Sequence, residues 1–318
     1  MILLPKYTDV YNKEPITVHQ EHSGEIRMIL REMDETVVYD SGWFSNLITD
    51  RGLVTMGESS SWALVCNLGS SSTAPAFTDT ALYAWMGEAQ MGSPVYSLIP
   101  IAPNYEYSIT KNCRFNVGVA TGTIREIGFN SHLDTQNTNM GVRALVSPPV
   151  VKAANQVLDV YYKMTSWPDT VDRTGTVMIG GINYNYTTRA RSLLETAGIT
   201  TLNSWSDKGL NASNVHWLTN QTYTTIDTTP ASVTYLYYCT SNSNIGTGSK
   251  YSDRRMDWSL DYGNVAGGIR TICTRSREAA YQDRGWQTRI GKVSDDSELV
   301  KDNTQVLTID FRVTWDRH

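Results

Sequence analysis

Residues 151–165 read VKAANQVLDVYYKMT, and residues 300–314 read VKDNTQVLTIDFRVT. Val151/Val300, Lys152/Lys301, Gln156/Gln305, Val157/Val306, Leu158/Leu307 and Thr165/Thr314 are identical at an offset of 149 (300 − 151). Val160/Ile309, Tyr162/Phe311, Lys163/Arg312 and Met164/Val313 change conservatively. Leu307, Ile309, Phe311, Val313 and Trp315 alternate with Thr308, Asp310, Arg312 and Thr314; Leu158, Val160, Tyr162 and Met164 alternate with Asp159, Tyr161, Lys163 and Thr165. Successive side chains of a strand face opposite sides, so each segment reads as a half-buried antiparallel strand.

Further matches follow in the same order. Ile124-Arg125 and Ile127 face Ile269-Arg270 and Ile272 at an offset of 145 (269 − 124). Leu47-Ile48 with Gly52-Leu53 faces Leu193-Leu194 with Gly198-Ile199 at 146 (193 − 47). A weaker match sets Cys66-Asn67 against Cys239-Thr240 at 173 (239 − 66), which requires unmatched blocks at 203–229 and 74–98. Ordered self-similarity of this kind predicts an internal duplication. The expected division is an extended N-terminal arm (1–23), a first module (24–167), a linker around Pro168 (168–173) and a second module (174–318). A single domain with accidental similarity is the alternative.

β-Branched and aromatic runs at 26–30, 36–39, 61–68, 105–119, 123–129, 142–147, 176–182, 232–239, 255–262 and 268–274 are separated by Gly, Ser, Asn and Pro clusters. That punctuation belongs to strands and turns. A short helix is expected in each module, over 45–52 closed by Gly52 and over 188–198 closed by Gly198. The fold class is therefore mainly all-β: two tandem duplicated antiparallel β-sandwich modules, each with a short helix.

At 318 residues the chain can bury two cores, and with 40% hydrophobic and 19% charged residues it lacks the composition of a disordered protein. Twenty-seven Lys+Arg against 32 Asp+Glu leave a net charge of -5, so no basic footprint points to nucleic acid. No apolar run approaches the roughly 20 residues that cross a bilayer, and MILLPKYTDVY lacks the charged and apolar regions of a secretory signal. Neither membrane insertion nor secretion is expected. Cys66, Cys113, Cys239 and Cys273 form no CxxC pair and read as buried thiols, while His19 and His22 lack partners at zinc spacing. No metal or cofactor is expected.

Gly-x-Ser-x-Gly does not occur, and Gly69-Ser-Ser-Ser-Thr73 reads as a polar turn. Gly180-Gly181 and Gly267-Gly268 lack the Lys-Ser/Thr of a phosphate cradle and serve turns or bulges. Asp295-Asp296-Ser297-Glu298 reads as a solvated turn rather than a glycosidase pair. No catalytic residue is assigned, and an enzyme is not expected.

Eighteen Tyr and nine Trp against five Phe favour rings with one wet edge, as at sheet surfaces and interfaces. Tyr184, Tyr186, Trp205 and Trp217 are the candidate interaction surface. Such rings can form a core with wet hydroxyls, a subunit interface or a platform on which sugars stack.

Two stretches carry a family resemblance. Gly42-Trp-Phe-Ser-Asn46-Leu-Ile-Thr-Asp-Arg-Gly52-Leu53 is followed by Val65-Cys66-Asn67-Leu68-Gly69-Ser-Ser-Ser-Thr73-Ala-Pro75-Ala-Phe-Thr78-Asp79-Thr80-Ala-Leu82. This resembles the opening of structural proteins in the virions of tailed bacteriophages, where an N-x-[IVL]-x-x-x-G-L segment precedes a G-x-G-S/T-x-x-A-P-x-x-T-D-T-x-L loop. Lys301-Asp-Asn-Thr-Gln305-Val-Leu-Thr-Ile-Asp-Phe-Arg312-Val-Thr-Trp315-Asp-Arg317 is similar to their C-terminal strand. Here Asn67-Leu68-Gly69 replaces Gly-x-Gly and His318 ends the chain. The resemblance implies a virion component of the tail, neck or fibre-attachment region and brings no catalytic residue; the preferred expectation is a structural virion protein that assembles with its own copies as a symmetric homo-oligomer and with other virion proteins. The other reading is a receptor- or saccharide-binding appendage that recognises a host-surface glycan.

Overall fold

The structure, a computed structural model, describes residues 8–58, 63–101, 104–130, 139–191, 216–222, 238–275 and 285–318. It is mainly β. The described residues fall into two compact units, a first drawn from 21–167 and 315–318 and a second from 8–20 and 168–314.

The chain enters through β1 (Thr8–Tyr11) and β2 (Ile16–Arg31). In the first unit follow β3 (Val37–Ser45), β4 (Leu47–Ile48), α1 (Asp50–Glu58), β5 (Val65–Gly69) and β6 (Trp85–Gln90). Then come β7 (Val95–Ile101), β8 (Asn104–Phe115), β9 (Gly122–Asn130), β10 (Met140–Lys152) and β11 (Val157–Pro168). One sheet runs β4-β10-β9-β5-β6, all pairs antiparallel. The other strands are ordered β3-β2-β11-β8-β7. The two sheets face each other where Phe129 of β9 meets Tyr162 of β11, ring centres 4.5 Å apart.

The second unit contains β12 (Arg173–Ile179), β13 (Ile182–Arg191), β14 (Trp217–Thr219) and β15 (Ser241–Gly248). It is completed by β16 (Tyr251–Trp258), β17 (Thr271–Arg275), β18 (Gly285–Lys292) and β19 (Gln305–Arg317). Its sheets run β12-β13-β18-β17-β14 and β15-β16-β19, with β1 parallel to β19. Gly180 and Gly181, both at positive φ (58° and 83°), make the two-residue turn that closes the β12–β13 hairpin, the role a Gly pair suits best.

Strand order within each unit is the same for seven strands. In chain order β4, β5, β7, β8, β9, β10 and β11 stand where β13, β14, β15, β16, β17, β18 and β19 stand. Register agrees: Leu68 of β5 pairs with Ile127 of β9, and Leu218 of β14 pairs with Ile272 of β17. The alternation read from the sequence is present, since Leu158, Val160, Tyr162 and Met164 are buried in β11, and Leu307, Ile309, Phe311, Val313 and Trp315 in β19.

Three local expectations are corrected. The helix of the first unit begins where it was expected to end. Leu47 and Ile48 form β4 against β10, and Thr49 caps α1 by accepting the Gly52 N–H on its hydroxyl at 2.9 Å. Gly52 closes nothing; a Cβ there would lie 2.1 Å from the Gly141 carbonyl oxygen, so it permits a close approach to β10. In the second unit, residues 188–191 belong to β13, because Tyr184, Thr188 and Ala190 are buried with the period of a strand paired to β18; residues 192–198 lie outside the described residues. The Cys66–Cys239 correspondence fails, since β14 occupies the place of β5 and the Cys239 N–H bonds the His216 carbonyl beyond it. Within the N-terminal arm, residues 8–11 are β1, and Ile16, Val18, Gln20 and His22 of β2 are buried.

Candidate functional site

A loop of residues 70–84 joins β5 to β6 in the first unit, and two buried charges organise it. Arg143 of β10 and Glu126 of β9 are both 0% exposed. Their strands are hydrogen-bonded neighbours, with Arg143 opposite Gly128 and Leu145 opposite Glu126, which brings the two charges together. The Arg143 Nε donates to Glu126 Oε2 at 3.1 Å, and Nη2 donates to the same oxygen at 2.8 Å and to the Thr73 carbonyl at 2.6 Å. Nη1 donates to Asp79 Oδ2 at 2.8 Å and to the Ala74 carbonyl at 3.1 Å. Every direction of the guanidinium fork is used. Glu126 also accepts the backbone N–H of Ala84 at 2.8 Å and of Tyr83 at 3.3 Å, and Asp79 accepts that of Ala76 at 2.8 Å. A buried charge is tolerable only when paired and hydrogen-bonded in this way. The network fixes a segment that has no ladder of its own.

What the loop presents is aromatic. Phe77 is 51%, Tyr83 60% and Trp85 46% exposed. Each is nonetheless held: Arg143 lies 4.6 Å from the Tyr83 ring centre, the Trp85 indole N–H donates to Asn67 Oδ1 at 3.0 Å, and the Asp50 N–H donates to the Phe77 carbonyl at 2.8 Å. Rings fixed before contact lose little freedom on association.

The C-terminal residues meet this loop. Arg317 lies 4.1 Å from the Phe77 ring centre, donates from Nε to the Ile48 carbonyl at 2.7 Å, and pairs with Asp50 at 2.5 Å. Trp315 is buried and donates to the Leu53 carbonyl at 3.0 Å; the His318 ring stacks on Trp167 at 4.0 Å. The C-terminal residues 315–318 and the segment 48–77 therefore touch. A second apolar feature lies on β3, whose Val37, Val38 and Trp43 are exposed and which pairs with β2 alone among the described residues.

The candidate surface of Tyr184, Tyr186, Trp205 and Trp217 is described in part. Tyr184 is 1% and Trp217 4% exposed, so both belong to the core and offer no face to a sugar. Tyr186 is half-buried on β13, and Trp205 lies outside the described residues. Phe77 and Tyr83 are scattered through a polar loop and Trp85 opens β6, so no local pattern marks the three rings as a group. The sequence signal for the site is a charge within an apolar run, Arg143 between Val142 and Ala144 and Glu126 just before Ile127.

All four cysteines are buried thiols, and burial raises the Cys239 pKa to about 11. Among the described residues, no group of three or more His, Cys, Asp or Glu is placed to hold a metal ion. Comparison of the chain with protein-family models, with curated proteins and with solved structures finds no match.

Proposed function

We propose that this chain is a structural component of a tailed-bacteriophage virion, in the tail, neck or fibre-attachment region, assembling with its own copies and other virion proteins as a symmetric homo-oligomer. The observation that carries the reading is the Arg317–Phe77 contact. It joins the two sequence stretches similar to phage virion proteins at one pre-ordered, exposed aromatic loop. Aromatic side chains with little freedom to lose are the usual anchors of protein interfaces.

We read the two units as diverged copies of one β-sandwich module. The common order of seven strands supports this, as do the matched pairs Leu68–Ile127 and Leu218–Ile272. Duplication suits assembly, because n chains present about 2n related modules to neighbours of higher symmetry.

Sedimentation velocity of the full chain over a range of concentrations tests the reading. A discrete oligomer is expected, reduced to monomer when Phe77, Tyr83 and Trp85 are all changed to Ser with the circular dichroism spectrum preserved. A wild-type chain that stays monomeric, alone and with the other particle proteins, would remove the proposal.

A further inference from the structure

The two sheets of the first unit are drawn together at one corner, where the chain passes from β6 to β7. The Met91 N–H donates to the Leu64 carbonyl beside β5 at 2.8 Å, and the next amide, that of Gly92, donates to the Asn112 carbonyl of β8 at 2.7 Å. Adjacent residues thus bond to strands of different sheets. Lys111 of β8 spans the same corner, with its Nζ 3.5 Å from the Ala63 carbonyl.

One cysteine from each sheet faces into this corner. Cys66 of β5 is directly opposite Phe129 of β9, and Cys113 of β8 is directly opposite Val160 of β11. Residues directly opposite each other share a face of their sheet, and so does Tyr162, two residues on from Val160. The contact of Phe129 with Tyr162 identifies these as the two faces that pack together. Cys66 is 0% and Cys113 4% exposed, and the two thiols are hydrogen-bonded to each other. The second unit has no such pair. By strand order and register, His216 stands where Cys66 stands and Met256 where Cys113 stands.

We propose that Cys66 and Cys113 are an oxidation site, joined by a peroxide into a disulfide that ties the two sheets of the first unit together. One thiol sulfur takes an oxygen from the peroxide, giving a sulfenic acid and releasing a first water. The second thiol attacks that sulfur, the S–S bond forms, and the hydroxyl leaves with the thiol proton as a second water. Two thiols are oxidised and one hydrogen peroxide is reduced to two waters. Burial and the neighbouring thiol hold Cys66 well above the usual thiol range, so the reaction is slow and proceeds as the corner opens. Residues 66–113 then form a closed ring that contains the whole aromatic loop. The bond depends on the fold of the first unit alone; its forming after the chain leaves a reducing cytosol rests on the virion reading.

The full chain, incubated with dilute hydrogen peroxide, quenched with catalase, alkylated in denaturant and digested without reduction, tests this by peptide mass mapping. A linked Cys66–Cys113 peptide pair is expected. Cys239 and Cys273, which lie on opposite sides of β14, should be recovered alkylated. The oxidised protein should melt about 5–10 °C above the reduced one, and dithiothreitol should reverse the shift. Cys113→Ala should lose both the linked peptide and the shift, and Cys239→Ala should keep both. Absence of the linked pair, or its replacement by links between chains, overturns the proposal. A linked pair with an unchanged or lowered melting temperature overturns the claim that the bond ties the sheets. None of these readouts depends on oligomeric state, so this proposal and the assembly reading fail separately.

Discussion

The guanidinium of Arg317 lies 4.1 Å from the centre of the Phe77 ring. Through this contact the final strand reaches a loop more than two hundred residues earlier in the chain. The same side chain binds the Ile48 carbonyl and the Asp50 carboxylate, so it also secures the start of α1. Arg317→Ala should cost about 1–2 kcal/mol in urea unfolding, from the lost cation–π contact and charge-assisted hydrogen bonds. Arg317→Lys should recover less than half of that loss, since it keeps the charge without the fork. An unchanged midpoint for the alanine variant would show that the tail is not held this way.

Arg143→Met should be far more costly. It leaves Glu126 buried without its cation, a change worth about 3–5 kcal/mol. The loop should lose its order before the sandwich does. Brief chymotrypsin digestion should then cut the variant after Phe77 or Tyr83 while sparing the native chain. Equal resistance would mean that the loop does not depend on the ion network.

Gly52→Ala separates two roles for a helical glycine. At an ordinary position within a helix the change stabilises by about 1 kcal/mol. Here the added carbon meets the Gly141 carbonyl oxygen at 2.1 Å. Overpacking of this kind costs about 1–3 kcal/mol, so the measured sign should be destabilising. Thermal unfolding reads it directly; a raised melting temperature would refute the close approach.

Asp159 ties three strands together by accepting bonds from Arg114 at 2.6 Å and Arg31 at 2.9 Å. Burial works to raise its pKa, but the hydrogen bonds from Arg114 and Arg31 together hold it below the usual 3.8. A lowered folded-state pKa means that the unfolded chain binds the proton first. The contribution is therefore complete above the unfolded value and is lost as pH falls through it toward the folded one. Asp159→Asn should destabilise the protein at pH 7 and flatten the fall in stability below about pH 4. If both proteins lose stability in parallel on the acid side, Asp159 carries none of it.

The sequence made the strand architecture legible wherever a strand has one dry face. Leu307, Ile309, Phe311 and Val313 alternate without a break, and each is buried. It misled where a local signal served a tertiary purpose. Gly52 has the look of a helix stop, yet its lack of a side chain is used for contact with β10, which no neighbouring residue announces. Thr188 begins a run with helical composition, but its hydroxyl faces that of Thr288 across β18 at 2.8 Å. Tyr184 and Trp217 carry polar tips that suggested a surface, and the sheets bury them all the same. The aromatic loop was hidden because Glu126, Arg143 and Asp79, which shape it, come from three separate parts of the chain.

The most direct measurement is a reconstruction of an intact particle in which this chain is traced. The expected result is a symmetric ring or cluster of copies in which Phe77, Tyr83 and Trp85 are covered by a neighbouring protein. Finding those three rings facing solvent in the assembled particle, or finding the chain missing from purified particles, would contradict the central claim.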